Sequence, residues 1–340
     1  MREASVNIFK VILVFSVTFT VLSAQSFDIP SHDWGISFGN SARFTGIRFN
    51  FRDHRVDEIT GFNFTMWSAY ENENAIVKGI SFGVVPEAGD LKGLNIGLGG
   101  PAAMRELTGL SIGILGAGSG KRIRGITIGG LGVGTGGDIT GLVFGGLGAG
   151  AGGDISGIAI GGLGAGSGGN ISGLFIGGLG AGCSGDLTGI AFGGLGVGSG
   201  RNMTGIMLAG LGAGTGGDLK GIAIALAGVG SGTSLTGIAI GGLGVGSPEV
   251  TGLVIGGLGA GGVYVNGAAI SVGHVRIENE GELRGLAVSA FNYIKGTQTG
   301  LAIGLFNYAH SLKGVQIGLL NYVRDNPGIT KILPVINVHF

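Results

Sequence analysis

The sequence predicts an all-β fold, a single β-solenoid of about eighteen short coils, from three observations. Glycine recurs on a sixteen-residue period at Gly109, Gly125, Gly141, Gly157, Gly173, Gly189, Gly205, Gly221 and Gly237. Within each period the apolar residues alternate two by two. The chain also carries 80 glycines against six prolines, with 44% hydrophobic and 12% charged residues, which makes it too apolar for disorder, too glycine-rich for helices and too poor in proline for collagen. Fixed periods of this length mark architectures in which each unit buries its apolar face only against its neighbours.

The first element is the N-terminal segment 1–24. Arg2 and Lys10 precede or enter an apolar run, Val11 to Leu22, which ends in Ser23 and Ala24. This pattern reads as a cleaved signal peptide, since the run is shorter than the roughly 20 residues that span a bilayer. No cysteine follows to accept lipid, and the single cysteine, Cys183, has no partner for an internal disulfide. Next, the segment 25–45, with Trp34 and Phe38, is expected to cap the first open end of the solenoid, because an unpaired end would recruit other strands.

The solenoid itself is expected over 46–331. Its frame continues outward from the strict repeats with looser spacing, to Gly46, Gly61, Gly79 and Gly93 on one side and to Gly252, Gly267, Gly285, Gly300 and Gly314 on the other. In one unit, Ile155 to Asn170, Ile158 and Ile160 alternate with Ala159, and Leu163 and Ala165 alternate with glycine. That is strand periodicity in runs too short to stand alone. Gly161, Gly162, Gly168 and Gly169 allow the chain to turn within sixteen residues. The natural expectation places the larger residues, Ile158 and Ile160, inside and Ala159 outside. The last segment, 332–340, is expected to cap the far end.

Near the C-terminus the units read Gly285-Leu-Ala-Val-Ser-Ala-Phe-Asn-Tyr293, Gly300-Leu-Ala-Ile-Gly-Leu-Phe-Asn-Tyr308 and Gly314-Val-Gln-Ile-Gly-Leu-Leu-Asn-Tyr322, followed by Leu333-Pro-Val-Ile-Asn-Val-His-Phe340. These resemble a family of bacterial surface repeat proteins built on G-x-x-I-G-L-x-N units with an L-P-x-x-N-x-x-F ending. The resemblance covers about the last sixty residues and extends to Gly79–Gly97. It implies export and a surface location, and no catalytic role. The central coils depart from it, with glycine expected at the asparagine position.

Candidate contact residues follow from the expected facing. The row taken as outward runs Arg48, Asn63, Ser81, Asn95, Ser111 and Thr127, then turns apolar at Val143, Ala159, Phe175, Ala191, Met207, Ala223, Ala239 and Val254. Val143, Phe175, Met207 and Val254 are therefore the predicted contact strip, because a contiguous exposed apolar strip marks a contact with protein or lipid. A second candidate is a loop bulging from the eighteen-residue coil Gly267 to Arg284, whose His274, Arg276, Glu278, Glu280 and Glu282 form the densest polar cluster of the chain. The first eighteen-residue coil, with Glu71-Asn-Glu-Asn74, is a lesser one.

Other motifs have simpler explanations. Asp138, Asp154, Asn170, Asp186, Asn202 and Asp218 form a turn row that either holds calcium or bonds to nearby backbone amides; the spacing lacks the nine-residue period of calcium-binding β-rolls. The hydroxyl row from Thr108 through Thr140, Ser156, Ser172, Thr188 and Thr204 to Thr251 is interrupted by Arg124 and Lys220, which makes it a poor ice template. Turn bonding explains it more economically. Gly164-Ala-Gly166-Ser-Gly-Gly169 satisfies G-x-G-x-x-G, but no helix follows it, and Gly120-Lys121 lacks the rest of a phosphate loop. The five histidines share no metal-ligand spacing.

Twenty basic and twenty acidic residues balance to zero charge, which argues against nucleic acid as a partner. The residues thus point to an exported surface or periplasmic structural or binding protein with no catalytic site, cofactor or metal, whose contacts are with protein, glycan or lipid. The rival readings are an outer-membrane barrel, suggested by Ile336, Val338 and Phe340 alternating to a terminal aromatic, and, behind it, a β-helical carbohydrate-active enzyme or an ice-binding protein.

Overall fold

The computed structural model describes residues 26–340; the signal peptide expected over 1–24 lies outside the described residues. The fold is an all-β solenoid of about seventeen turns. Its residues form two compact units, one ending at Gly136 and one running Gly137–Phe340. The barrel alternative is overturned: coils stack with parallel strands paired one coil apart, whereas a membrane barrel closes an antiparallel sheet.

In the regular part of the second unit each coil has a long strand, such as Ile155–Gly161, and a short one, such as Gly164–Ser167. Long strands stack on long strands, with Ile155 over Ile171 through to Gly161 over Gly177, and short on short, with Ala165 over Ala181. The glycine that carries the period has a steric reason to be invariant. Gly157 sits at φ +125°, and a Cβ there would lie 2.1 Å from the carbonyl oxygen of Gly141. No L-residue tolerates both constraints.

The expected facing of the long strand is reversed. Ile155 and Ala159 are buried, while Ile158 and Ile160 are only partly covered and Leu163 is 51% exposed. The reason is the thinness of the coil. A Cβ on Gly161 would lie 1.9 Å from the Gly164 carbonyl oxygen and 2.9 Å from the Ala149 nitrogen. The short strand therefore returns so close beneath the long one that glycine, alanine and a few larger residues fill the interior. Most of the bulky aliphatics must stand outside. Val143, Phe175, Met207 and Val254, predicted as a contact strip, are all fully buried.

The same inner row is polar in the first unit. Ser37, Arg48, Asn63, Ser81, Asn95, Ser111 and Thr127 are all buried. Arg48 Nη1 donates to Asp53 Oδ1 at 2.6 Å and to Asn63 Oδ1 at 2.8 Å, while Nη2 donates to Asn40 Oδ1 at 3.1 Å. Asn50 Nδ2 also donates to Asp53 Oδ1, at 2.8 Å, and Thr65 Oγ1 donates to Asp53 Oδ2 at 3.0 Å. A buried guanidinium needs such a set of acceptors, since an uncompensated interior charge is costly.

Both units contain an antiparallel strand. Ser26–Pro30 runs against Trp34–Gly39, and Ile332–His339 against Phe306–Val323. Trp34–Gly39 itself pairs in parallel with Arg43–His54, setting Gly35 over Gly46. The glycine column therefore begins one level earlier than the boundary at 46 expected from sequence.

The motif asparagines form an internal ladder. Asn292 Nδ2 donates to Asn307 Oδ1 at 2.7 Å, and Asn307 Nδ2 to Asn321 Oδ1 at 2.7 Å. Each also donates to a backbone carbonyl, Asn292 to Ile303, Asn307 to Ile317 and Asn321 to Leu333. Ser289 Oγ donates to Asn292 Oδ1 at 2.8 Å and closes one end. Register places Val275 and Ala260 in this column, so small apolar residues, not the expected glycine, replace asparagine in the coils before it.

Candidate contact face

The side chains that the thin coil excludes build a repeated apolar face on the second unit. On the long strand the outward positions are those of Ser156, Ile158 and Ile160, and the turn that follows adds Leu163. Coil after coil repeats them. Ile190 and Phe192 are each 45% exposed and Leu195 51%. Ile206, Leu208, Leu211, Ile222, Ile224, Ile238 and Leu243 are exposed as well. In-register pairing sets Ile158 beside Leu174 and Leu174 beside Ile190, so the residues form continuous columns. A face of this kind on a chain in water marks a contact surface.

In the first unit the matching outer column begins with four phenylalanines and continues as isoleucine from Ile96. Phe38 stacks on Phe49 with centroids 5.5 Å apart, Phe49 lies 6.1 Å from Phe64, and Phe64 lies 5.8 Å from Phe82.

Across each long strand the face grades from polar to apolar. Its polar edge is the Asp/Asn turn row, which forms a ladder between coils. Asp138 Oδ1 accepts from the Asp154 amide at 3.0 Å, Asp154 from Asn170 at 2.6 Å, Asn170 from Asp186 at 3.0 Å, Asp186 from Asn202 at 3.1 Å and Asn202 from Asp218 at 2.9 Å. The alternating asparagines also donate sideways to carboxylates, Asn170 to Asp154 and Asn202 to Asp186. These bonds engage Oδ1 of each side chain, the turn-bonding role that was the alternative to calcium. Among the described residues, no group of three or more His, Cys, Asp or Glu is placed to hold a metal ion.

The hydroxyls that serve turns are not those singled out from sequence. Ser167 Oγ donates to the Gly153 carbonyl at 2.6 Å and Ser199 Oγ to Gly185 at 2.7 Å, both from the short strand. Thr140, Ser156, Ser172, Thr188 and Thr204 stand exposed on the long strand beside the aliphatic columns. Cys183 occupies the Ser167 position of its coil. It is half-buried, and burial pushes its thiol pKa up.

The short-strand face is different. In the central coils its outward positions are glycines such as Gly164 and Gly166, so it presents bare backbone. Toward the C-terminus the register replaces them with His274 and Arg276, then Phe291 and Tyr293, then Phe306 and Tyr308. Tyr293, Tyr308 and Tyr322 stack ring on ring, with centroids 4.8 and 5.4 Å apart. Their faces are turned toward one another and Arg276 stands 5.9 Å over the Tyr293 ring.

The predicted binding loop is not a loop. His274–Val288 is one strand with a register shift between Ile277 and Glu282, where Asn279 and Glu280 adopt φ of 52° and 55°. The shift separates the cluster. His274 and Arg276 lie on the short-strand side, where Glu278 pairs with Arg276 and Lys295. Glu282 lies on the long strand, pairs with Arg284 at 2.9 Å and accepts from Thr299 Oγ1 at 3.0 Å. The hydrogen bond from Lys295 lowers the Glu278 pKa, and that from Arg284 lowers the Glu282 pKa. In the first long coil, Glu71 pairs with Arg55, while buried Asn72 accepts from the Val56 amide and donates to the Glu87 carbonyl.

Sequence reasoning placed the exposed apolar residues on the wrong parity of the long strand. The signal that could have corrected it was the density of alanine and glycine at the Ala159 and Gly161 positions. The Gly161 position is glycine or alanine in coil after coil, from Gly145 through Ala209 to Gly256, and marks where two backbones approach each other.

No family model, curated protein or solved structure matches this chain.

Proposed function

We propose that this is an exported bacterial surface or periplasmic structural protein that works through contact made by the aliphatic face of its solenoid, with no catalytic site. The observation that carries the reading is the set of Ile, Leu and Phe columns left outside a coil too thin to enclose them. An apolar surface repeated over many coils has a stability cost in water unless something covers it. The mutual pairing of Arg276, Lys295 and Glu278, and of Arg284 with Glu282, supports a structural use of these charges over acid–base chemistry. Export is supported by the apolar run and small residues of segment 1–24 and by the resemblance of the C-terminal units to surface repeat proteins.

Fractionation of the native bacterium tests location, with urea washing of membranes and protease treatment of intact cells. Recovery in the periplasm, or cleavage on intact cells with release by urea, supports the proposal. Recovery of the uncleaved chain in the cytoplasm overturns export.

A further inference from the structure

We infer that the occupant of the aliphatic face in the second unit is a second copy of this chain, the two faces packed against each other; this rests on the contact-face reading above. Three properties of the face favour that partner.

The first is size. The columns run over about eight coils between Leu142 and Leu258, at about 4.8 Å per coil, so the strip is about 38 Å long and reaches across each strand to the turn that carries Leu163. With about three large apolar side chains per coil it holds about 24 such residues, within the roughly 20–30 residues a side of a stable protein interface.

The second is self-matching. A two-fold pair requires a surface complementary to itself. Coil after coil presents large apolar residues at the same separation, as at Ile158, Ile160 and Leu163 or Ile190, Phe192 and Leu195, with Ile190 beside Ile206 and Ile206 beside Ile222. Ridges of one copy therefore meet grooves of the same pitch in the other, as the inner faces of two packed sheets do. Isoleucine is stiff at χ1, so these ridges are preformed and lose little freedom on packing.

The third is charge. The polar edge of the face carries Asp154, Asp186 and Asp218, and the only basic residues of the coils between Gly141 and Gly246, Arg201 and Lys220, pair with Asp186 at 3.2 Å and Asp218 at 3.7 Å, so the edge offers an anionic lipid surface no uncommitted basic rim. Interfacial lipid contacts usually draw on a basic rim. In a paired arrangement the acidic ladders lie at the margins, in water.

The test is the mass of the full mature chain by sedimentation and light scattering, at micromolar concentration. The reference is the triple variant Ile190→Thr/Ile206→Thr/Ile222→Thr, which keeps β-branched residues on the strand. Each chain is also floated with vesicles of phosphatidylethanolamine and phosphatidylglycerol. A wild-type dimer whose dissociation constant rises at least a hundredfold in the variant, with the β circular-dichroism signature retained, supports the inference. If the triple variant loses that signature, Leu163→Ser/Leu179→Ser/Leu195→Ser, altered at the exposed turn, takes its place with the same readings. A dimer unaffected by the substitutions overturns it. A wild-type monomer that floats with vesicles, and stops floating in the variant, overturns the second copy while leaving the contact face standing. A wild-type monomer that binds no vesicles overturns both.

Discussion

Phe175 stands directly over Ala159 in the closed interior of the coil, and both side chains are fully buried. Ala191 follows on the other side, then Met207, then Ala223. Large and small residues thus alternate along the inner row, and each bulky side chain occupies room that its two alanine neighbours leave. The row is packed as a column, so its members are coupled. Phe175→Ala is expected to lower stability by about 3–5 kcal/mol, the usual cost of an emptied aromatic site. Ala159→Phe alone overpacks, at about 1–3 kcal/mol. The double exchange should recover part of the loss, which denaturant midpoints of the three variants will show. Simple additivity would mean that the column is not the packing unit.

Two glycine substitutions separate backbone constraint from composition. Gly173 has φ +128°, and a Cβ there would lie 2.0 Å from the Gly157 carbonyl oxygen. Gly198 has nothing within 4 Å of its would-be Cβ. Gly173→Ala is expected to cost at least about 3 kcal/mol, and Gly198→Ala less than about 0.5 kcal/mol. Equal thermal shifts in the two variants would contradict the steric account of the sixteen-residue period.

The asparagine ladder predicts a position-specific loss. Asn307 donates to Asn321 and accepts from Asn292, so Asn307→Ala leaves a buried acceptor on Asn321 and a donor on Asn292 each short of a partner. A cost of about 2–4 kcal/mol is expected. Hydrogen exchange should show the loss first in the coils around Phe291 and Phe306. Protection unchanged there would remove the ladder from the account of stability.

Acid should weaken the first unit. Burial pushes the Asp90 carboxyl pKa up, but the hydrogen bonds from Arg105 at 3.0 Å and Lys92 at 3.2 Å outweigh it and hold the pKa below its ordinary 3.8. A carboxyl whose folded pKa is depressed contributes stability that is complete above the unfolded pKa. That contribution is lost as pH falls from about 4 through the folded value. Asp90→Asn is expected to flatten the stability profile below pH 4 and leave its shape near neutrality unchanged. An unchanged acid limb, read by urea midpoints from pH 2 to 7, would show that other carboxyls govern it.

The sequence by itself determined that the chain is β, that it coils on a sixteen-residue period, and where the irregular coils fall. Glycine spacing and two-residue alternation are local properties, and each follows from what one residue's backbone and the next can do. Alternation, however, defines two sides of a strand without saying which is inside. Ile158 and Ala159 have opposite facings, and hydrophobicity alone favours burying the larger. Only the tertiary structure decided the matter, because the distance between the long and short strands of one coil sets the room inside, and here Gly161 and Gly164 come too close for isoleucine. The same cause put the exposed apolar face on the residues expected to be core, while the register shift between Ile277 and Glu282 dispersed the polar cluster from His274 to Glu282 over two sides of a continuous strand. The role of Asn292, Asn307 and Asn321 was likewise a property of stacking. Their hydrogen bonds run between residues fourteen or fifteen positions apart, a distance at which sequence pattern shows recurrence but not contact.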